Sequence, residues 1–193
     1  MRKDALLAIY REYAADPAFD GLKAHDAPKH LVMGRGSLRP IIVLVGEAPG
    51  GAEAVHRRPF MGPAGKVLDR LLASCGVARE ECFVTNVVKY RPTIGMLNVK
   101  NRKPTPAEVE ASQPYLLREL DVFGDTPVVV LGGVALHAVR RAKSPISLVS
   151  GKIVDGLGHR SYGAVFHPAV AAYEPTMEPL LRQHMQAVMG QLL

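Results

Sequence analysis

The sequence predicts an α/β protein: a three-layer α/β/α sandwich around a central, mainly parallel four-stranded sheet. Three observations carry this expectation. Residues 40–45 (Pro-Ile-Ile-Val-Leu-Val) are apolar on both faces, as in a strand covered by helices on either side. Three more short apolar runs follow, and segments with helical spacing or capping signals separate them. The 193 residues can bury a full core without disulfides or a structural metal, so one domain, 1–193, is expected.

Each element has its own signal. Ala5, Leu6, Ile9 and Tyr13 recur at helical spacing and predict a helix over 3–15. A polar, irregular stretch continues to about Leu38. The first strand, 40–45, is broken sharply by residues 46–51 (Gly-Glu-Ala-Pro-Gly-Gly). A helix over 63–75 has proline in its first turn and Gly76 as its stop. Residues 83–88 form the second strand, and a long loop rich in proline and bases runs to Pro106. Thr105 as N-cap and Glu108 as its capping-box partner begin a helix over 106–122. Residues 128–131 form the third strand, ended by Gly132 and Gly133, and a helix to about Arg141 follows. Residues 144–160 are loop-rich, with a short extended piece around Ile153. The last strand, 164–166, ends at His167 and Pro168, and a helix over 180–192 closes the chain.

Composition narrows the function classes. The longest apolar run is far too short to span a bilayer, and the N-terminus lacks a signal-peptide core, so a cytoplasmic protein with no membrane partner is expected. Two cysteines, Cys75 and Cys82, cannot build a tetrathiolate site, and no histidine pair has metal-ligand spacing with a third partner, so no metal is expected. Neither phosphate-loop nor nucleophile-elbow motif occurs. The net charge is +6, and its distribution is uneven. Residues 89–103 hold Lys89, Arg91, Lys100, Arg102 and Lys103 with no acid. Residues 126–154 hold Arg140, Arg141, Lys143 and Lys152, again with no acid. Such clusters suit either a polyanion-binding surface or ordinary solvated loops.

In an open parallel sheet the ligand sits beyond the carboxyl ends of the strands. That rule selects four side chains. Glu47, just past the first strand, is placed to orient a water or face positive charge, or else to cap a turn. Phe60, held between prolines and glycines, either offers a flat face to a planar ligand or folds onto the core. Asn86 ends the second strand with a donor and an acceptor together, suited to a base edge or to a turn. His167 is biased to an extended conformation by Pro168, as a donor in a site or as a satisfied half-buried histidine. Together, beside two basic loops, they suit a planar base carried on a phosphate chain.

Six segments then resemble the uracil-DNA glycosylase superfamily, and family 4 in particular. They are 45–50 (Val-Gly-Glu-Ala-Pro-Gly), 58–66 (Arg-Pro-Phe-Met-Gly-Pro-Ala-Gly-Lys), 84–92 (Val-Thr-Asn-Val-Val-Lys-Tyr-Arg-Pro), 101–106 (Asn-Arg-Lys-Pro-Thr-Pro), 131–135 (Leu-Gly-Gly-Val-Ala) and 166–169 (Phe-His-Pro-Ala). The resemblance covers about three quarters of the chain, in order. It implies that uracil is flipped out of DNA and its N-glycosidic bond hydrolysed, without a lyase step. It implies catalytic roles for Glu47 and His167, and a uracil pocket of Gly46, Ala48, Phe60 and Asn86. It places Pro168, Ala169 and Val170 in a segment that enters the minor groove. Phosphate contacts are expected from Lys89, Arg91, Arg102, Lys103 and Lys152. Uracil-containing DNA is the partner and a monomer is expected.

Two departures stand out. Family 4 typically holds a [4Fe–4S] cluster on four cysteines. Residues 1–40 contain none, and the two later positions are Tyr90 and Ser112. No cofactor is therefore expected. Residues 93–100 also lack the Lys-Arg-Arg-Ile-His string of the relatives that crosslink to abasic DNA. The competing expectations are a nucleic-acid-binding module of the same fold that has lost catalysis, and a small-molecule nucleoside hydrolase.

Overall fold

A computed structural model describes residues 1–24, 30–94, 100–140 and 144–193. The basic residues Arg141 and Lys143, and residues 95–99 of the predicted long loop, lie outside the described residues. Among those described, helices are α1 (Arg2–Ala15), α2 (Asp20–Ala24), α3 (Gly51–His56), α4 (Pro63–Ala73), α5 (Pro106–Asp121), α6 (Gly133–Val139), α7 (Ile146–Val149), α8 (Ala169–Tyr173) and α9 (Glu178–Leu192). Strands are β1 (Arg35–Gly36), β2 (Ile42–Gly46), β3 (Cys82–Asn86), β4 (Thr93–Ile94), β5 (Lys100–Asn101), β6 (Val128–Leu131), β7 (Lys152–Asp155) and β8 (Ser161–Val165).

The central sheet has six strands, not the four expected, in the order β1-β3-β2-β6-β8-β7. The four predicted strands are its parallel centre. The two added strands are antiparallel edges. β1 is two exposed residues with no apolar pattern to announce it. β7 occupies the region where only a short extended piece was expected, and just one of its four residues is buried. β4 and β5 form a separate small hairpin in the basic loop.

β2 explains why both faces had to be apolar. Ile42 and Leu44 pack into one core with Leu68, Leu71, Leu72, Leu181 and Met185 of α4 and α9. Val43 and Val45 pack into the opposite core with Tyr10 and Tyr13 of α1 and Leu116 and Leu120 of α5. The period-2 alternation of a strand thus feeds two helical layers. Helix signals are realised as read: Thr105 Oγ1 accepts the Glu108 N–H at 3.2 Å, and the Glu108 carboxylate accepts the Thr105 N–H at 2.7 Å. No helix among the described residues is long and apolar enough to cross a membrane.

From β2 the chain pairs β3 on one side and later β6 on the other. The carboxyl ends of β2 and β6 therefore flank a topological switch point, where such sheets leave a crevice.

Candidate active site

Register brings the first two site residues together. Gly46, at the end of β2, lies opposite Asn86, at the end of β3. The chain then leaves the ladder, with the Val87 and Val88 N–H groups bonded to the carbonyls of Gly46 and Glu47 at 3.0 and 3.1 Å. Gly46 has to be small. A Cβ there would stand 2.7 Å from a ring carbon of Phe60, and nearer still to Oδ1 of Asn86. The aromatic face and the amide edge thus meet across a residue without a side chain.

Asn86 is 2% exposed, and its Nδ2 is buried without a hydrogen-bond partner. A buried amide donor left open costs about 1–3 kcal/mol unless a ligand completes it. Phe60 is also buried, and its backbone has φ 56°, in the left-handed region that bulky side chains avoid. Gly65 makes that conformation possible, because any Cβ there would collide with the Phe60 carbonyl. Arg79 holds it, donating to the carbonyls of Pro59 and Phe60 at 3.2 and 3.3 Å. Its guanidinium also lies 5.8 Å from the Phe60 ring centroid and is fixed to Asp69 at 2.8 Å.

His167 follows β8 and stands nearly parallel to Phe60, with centroids 5.6 Å apart. Gly132, with φ 93°, admits it: a Cβ at that position would lie 2.9 Å from Cβ of His167. Nδ1 of His167 accepts the backbone N–H of Ala169 at 3.1 Å. The neutral ring therefore carries its proton on Nε2, as a donor. Burial lowers its pKa to about 4, so the ring is neutral at physiological pH. Pro168 is buried at the N-cap of α8, and Val170 N–H bonds back to the His167 carbonyl at 3.0 Å.

Glu47 is partly buried, and desolvation raises its pKa, opposed by the charge of Lys103. Its chain neighbour Ala48, but not Glu47 itself, lines a cleft of about 300 Å³, together with Glu53, Asn101, His167, Ala169 and Tyr173 among others. Among the predicted residues, Ala48, His167 and Ala169 thus face the cleft, while Gly46, Phe60 and Asn86 make their own close contact. The Phe60–His167 pair links the two groups.

The basic residues divide. Lys89 corrects the sequence reading: it is fully buried and cannot reach a phosphate. Its ammonium bonds to Glu119 Oε2 at 2.5 Å, the Asn86 carbonyl at 2.5 Å and Thr85 Oγ1 at 2.7 Å. Arg102 is also committed, in a two-pronged pair with Glu108 at 2.6 and 2.7 Å, which braces the loop onto the start of α5. Lys103 and Lys152 are exposed. Arg91 bonds to Asn101 at 2.6 Å, beside the cleft. Lys152 pairs in register with Ala164 near the end of β8, so it lies on the site's end of the sheet, at the far edge.

Sequence reasoning missed three supports. Glu53 accepts the N–H groups of Gly50 and Gly62 at 3.1 and 3.3 Å, tying the loop after β2 to the Phe60 loop. Its place three residues after Gly50 is a capping-box spacing, the one signal that pointed to it. Arg79 had no local signal, and Gly132 was legible as the glycine that ends the third strand but not as the space that admits His167.

The positions that correspond to cluster ligands do not fit an iron–sulfur cluster. Ser112 Oγ is bonded to the Tyr13 hydroxyl at 2.9 Å, and the Tyr90 ring lies 5.9 Å from that of Tyr13. Phe19 stacks on the same tyrosine at 3.9 Å, and Tyr115 meets it edge-on at 5.1 Å. Hydroxyls packed among aromatic rings are not thiolate ligands. Cys75 and Cys82 belong to the opposite core. Among the described residues, no group of three or more His, Cys, Asp or Glu could hold a metal ion.

Comparison with known proteins agrees with this geometry. The family model of the uracil DNA glycosylase superfamily matches residues 33–192. A Type-4 uracil-DNA glycosylase of Archaeoglobus fulgidus is 38% identical over 160 residues, covering 79% of this chain and 77% of that protein. One of Thermotoga maritima is 39% identical over 153 residues, covering 76% and 77%. One of Pyrobaculum aerophilum is 34% identical over 169 residues, covering 82% and 81%. With the family's segments gathered at one end of a parallel sheet, the chain belongs to the uracil DNA glycosylase superfamily.

Proposed function

We propose that this protein is a monofunctional uracil-DNA glycosylase of the Type-4 kind, acting in base excision repair as a monomeric, cytoplasmic single domain. The observation that carries the reading is the buried, unpartnered Nδ2 of Asn86 beside the Phe60 ring. Uracil offers a carbonyl acceptor at O4 and a donor at N3, the complement of an amide donor and acceptor side by side.

The base is stacked inside DNA and must be extruded, at a cost of a few kcal/mol. Stacking on Phe60 and the edge bonds to Asn86 offset that cost. The bond between the sugar and uracil N1 breaks through an oxocarbenium-like sugar, and the bonding electrons leave with uracil. Negative charge grows on uracil O2, where the Nε2–H of His167 donates to it. That donor acts mainly in the transition state, which is what raises the rate. Glu47 faces the cationic sugar and orients a water, whose oxygen bonds to the sugar carbon while its proton passes to the carboxylate. The products are free uracil and an abasic site. No lysine is assigned as a Schiff-base nucleophile, so the strand is left intact.

Pro168, expected to enter the groove, is buried and instead fixes the start of α8; the segment that follows it, residues 169–173, is the one that enters the groove. Tyr173 is its exposed aromatic, 89% accessible at the rim of the cleft. Arg91, Lys103 and Lys152 supply phosphate contacts.

An end-labelled oligonucleotide with one uracil, incubated with the protein and then with alkali, tests the reading. A single scission at the uracil is expected. Tight binding to that DNA without scission would make the protein a non-catalytic binding module.

A further inference from the structure

Lys89 is the one ammonium among the described residues that is completely buried, and the chemistry above does not use it. A buried charge of this kind is costly unless every donor is met. Here every donor is met: the three protons have three acceptors, Glu119, Thr85 and the backbone carbonyl of Asn86. Glu119 is equally buried, and its other oxygen accepts the hydroxyl of Tyr10. Thr85 Oγ1 donates to Glu119 at 3.2 Å. The Tyr10 hydroxyl in turn accepts the N–H of Gly34 at 2.9 Å. The network spans α1, the segment before β2, the end of β3 and α5.

Two of its three ammonium bonds end on the two last residues of β3. The Asn86 carbonyl is where the parallel ladder stops and the chain turns away. The N–H of the same peptide, that of Val87, is held by the Gly46 carbonyl at 3.0 Å, so the ammonium supplies the second of the two bonds that fix it. With the carbonyl released the peptide can tilt about the remaining bond, shifting the Asn86 Cα and the amide it carries. A network built only for stability has no need to end on this peptide. A side chain that must present two atoms to a planar edge does need its backbone fixed.

We infer that Lys89, paired with Glu119, is a positioning residue for base recognition: it locks the Asn86 peptide so that the amide keeps the orientation that reads uracil. The inference rests on the glycosylase reading of the same site. It replaces the phosphate contact first expected of Lys89.

The test is the paired substitution Lys89→Met with Glu119→Gln, which removes both charges together and leaves neither one stranded. Glutamine keeps an acceptor for Tyr10 and offers a donor to Thr85. Thr85→Val is the milder second variant, removing one acceptor of the ammonium with both charges in place. Three readouts are taken below the melting temperature: the Asn86 side-chain NH₂ signals in a ¹H–¹⁵N spectrum, single-turnover uracil excision, and affinity for DNA carrying an abasic site.

In the paired variant the Asn86 signals are expected to broaden or shift and excision to fall about tenfold to a hundredfold, as for a misplacement near 1 Å. Affinity for abasic DNA, which has no base to read, is expected to hold. Thr85→Val is expected to move the first two readouts the same way, by less. If the paired variant does not fold, Thr85→Val decides. Unchanged Asn86 signals with excision within twofold of the parent would overturn the inference and leave the pair purely structural. A parent that excises no uracil would instead overturn the functional reading, and the Asn86 signals would still decide whether Lys89 orders that amide.

Discussion

Replacing Gly46 with alanine probes the pocket with one methyl group. The added carbon would lie 2.7 and 2.8 Å from two ring atoms of Phe60. Carbon atoms in contact sit about 3.5–4.0 Å apart, so something must give by about 1 Å. The obstacle on one side is a ring clamped by Arg79 and Gly65. On the other it is the oxygen of an amide whose nitrogen is already buried without a partner. Either the ring moves off the stacking plane or the amide rotates away from the base edge. A 1 Å displacement of a positioned group costs about 10²-fold in rate, or about 2.7 kcal/mol in the barrier. Overpacking costs a further 1–3 kcal/mol or so of stability, and each kcal/mol lowers the melting temperature by about 2–4 °C in a chain of this size. Single-turnover excision of a uracil oligonucleotide, measured well below the melting temperature, reads the first effect, and a thermal melt reads the second. A Gly46→Ala protein that excises at the parental rate would refute the reasoning: Phe60 and Asn86 would then not frame the pocket.

Other perturbations separate the roles. Glu47→Ala and His167→Ala are expected each to slow single-turnover excision, by about 10²–10³ for the loss of one positioned donor, with DNA affinity by titration nearly unchanged. Asn86→Asp is expected to weaken uracil selectivity and to admit cytosine, since a carboxylate accepts from an exocyclic amine; excision from paired uracil and cytosine oligonucleotides checks it. Because burial holds His167 near pKa 4, the unfolded chain binds a proton that the folded one refuses between about pH 6.5 and 4. Stability therefore falls as pH drops through that window, by up to about 3 kcal/mol from this residue. Urea midpoints at pH 7 and 4.5 should show a smaller loss in His167→Gln, while His184, also lowered by burial, contributes with the same sign to both proteins. Neutralising Arg91, Lys103 and Lys152 together is expected to flatten the salt dependence of DNA binding; an unchanged slope would make them merely solvated.

Much of this was legible because the signals were local. A strand buried on both faces reads as an unbroken apolar run, and β2 and β6 did. A capping box lies within four residues, and Thr105 with Glu108 was visible. That Asn86 and His167 would meet at one end of the sheet was legible because both follow parallel strands at their carboxyl ends, and Phe60 joins them there. What stayed hidden depends on distant partners. Lys89 looked like one more base in a basic loop, and only Glu119 on α5 and Thr85 on β3 make it a core residue. Arg102 looked free until Glu108, the same carboxylate that caps α5, was seen to bind it. The edge strands were illegible because an edge needs no second apolar face. The left-handed backbone of Phe60 was equally silent, since its cause is Gly65 and Arg79.

Tyr13 carries a consequence for where this protein can be cut. The superfamily match begins at residue 33, so α1 lies wholly outside it. Yet the Tyr13 hydroxyl accepts the Lys89 backbone N–H at 3.0 Å and pairs with Ser112, while Tyr10 closes the far oxygen of Glu119. A chain trimmed back to the matched residues would keep Gly46, Glu47, Phe60, Asn86 and His167. It would lose the two phenols that shut solvent away from the ion pair behind the end of β3. Water entering there would screen the charges and free the Asn86 peptide, leaving the reaction's groups intact but loosely aimed. By its wiring, the first helix braces from within the core the end of β3 that carries Asn86.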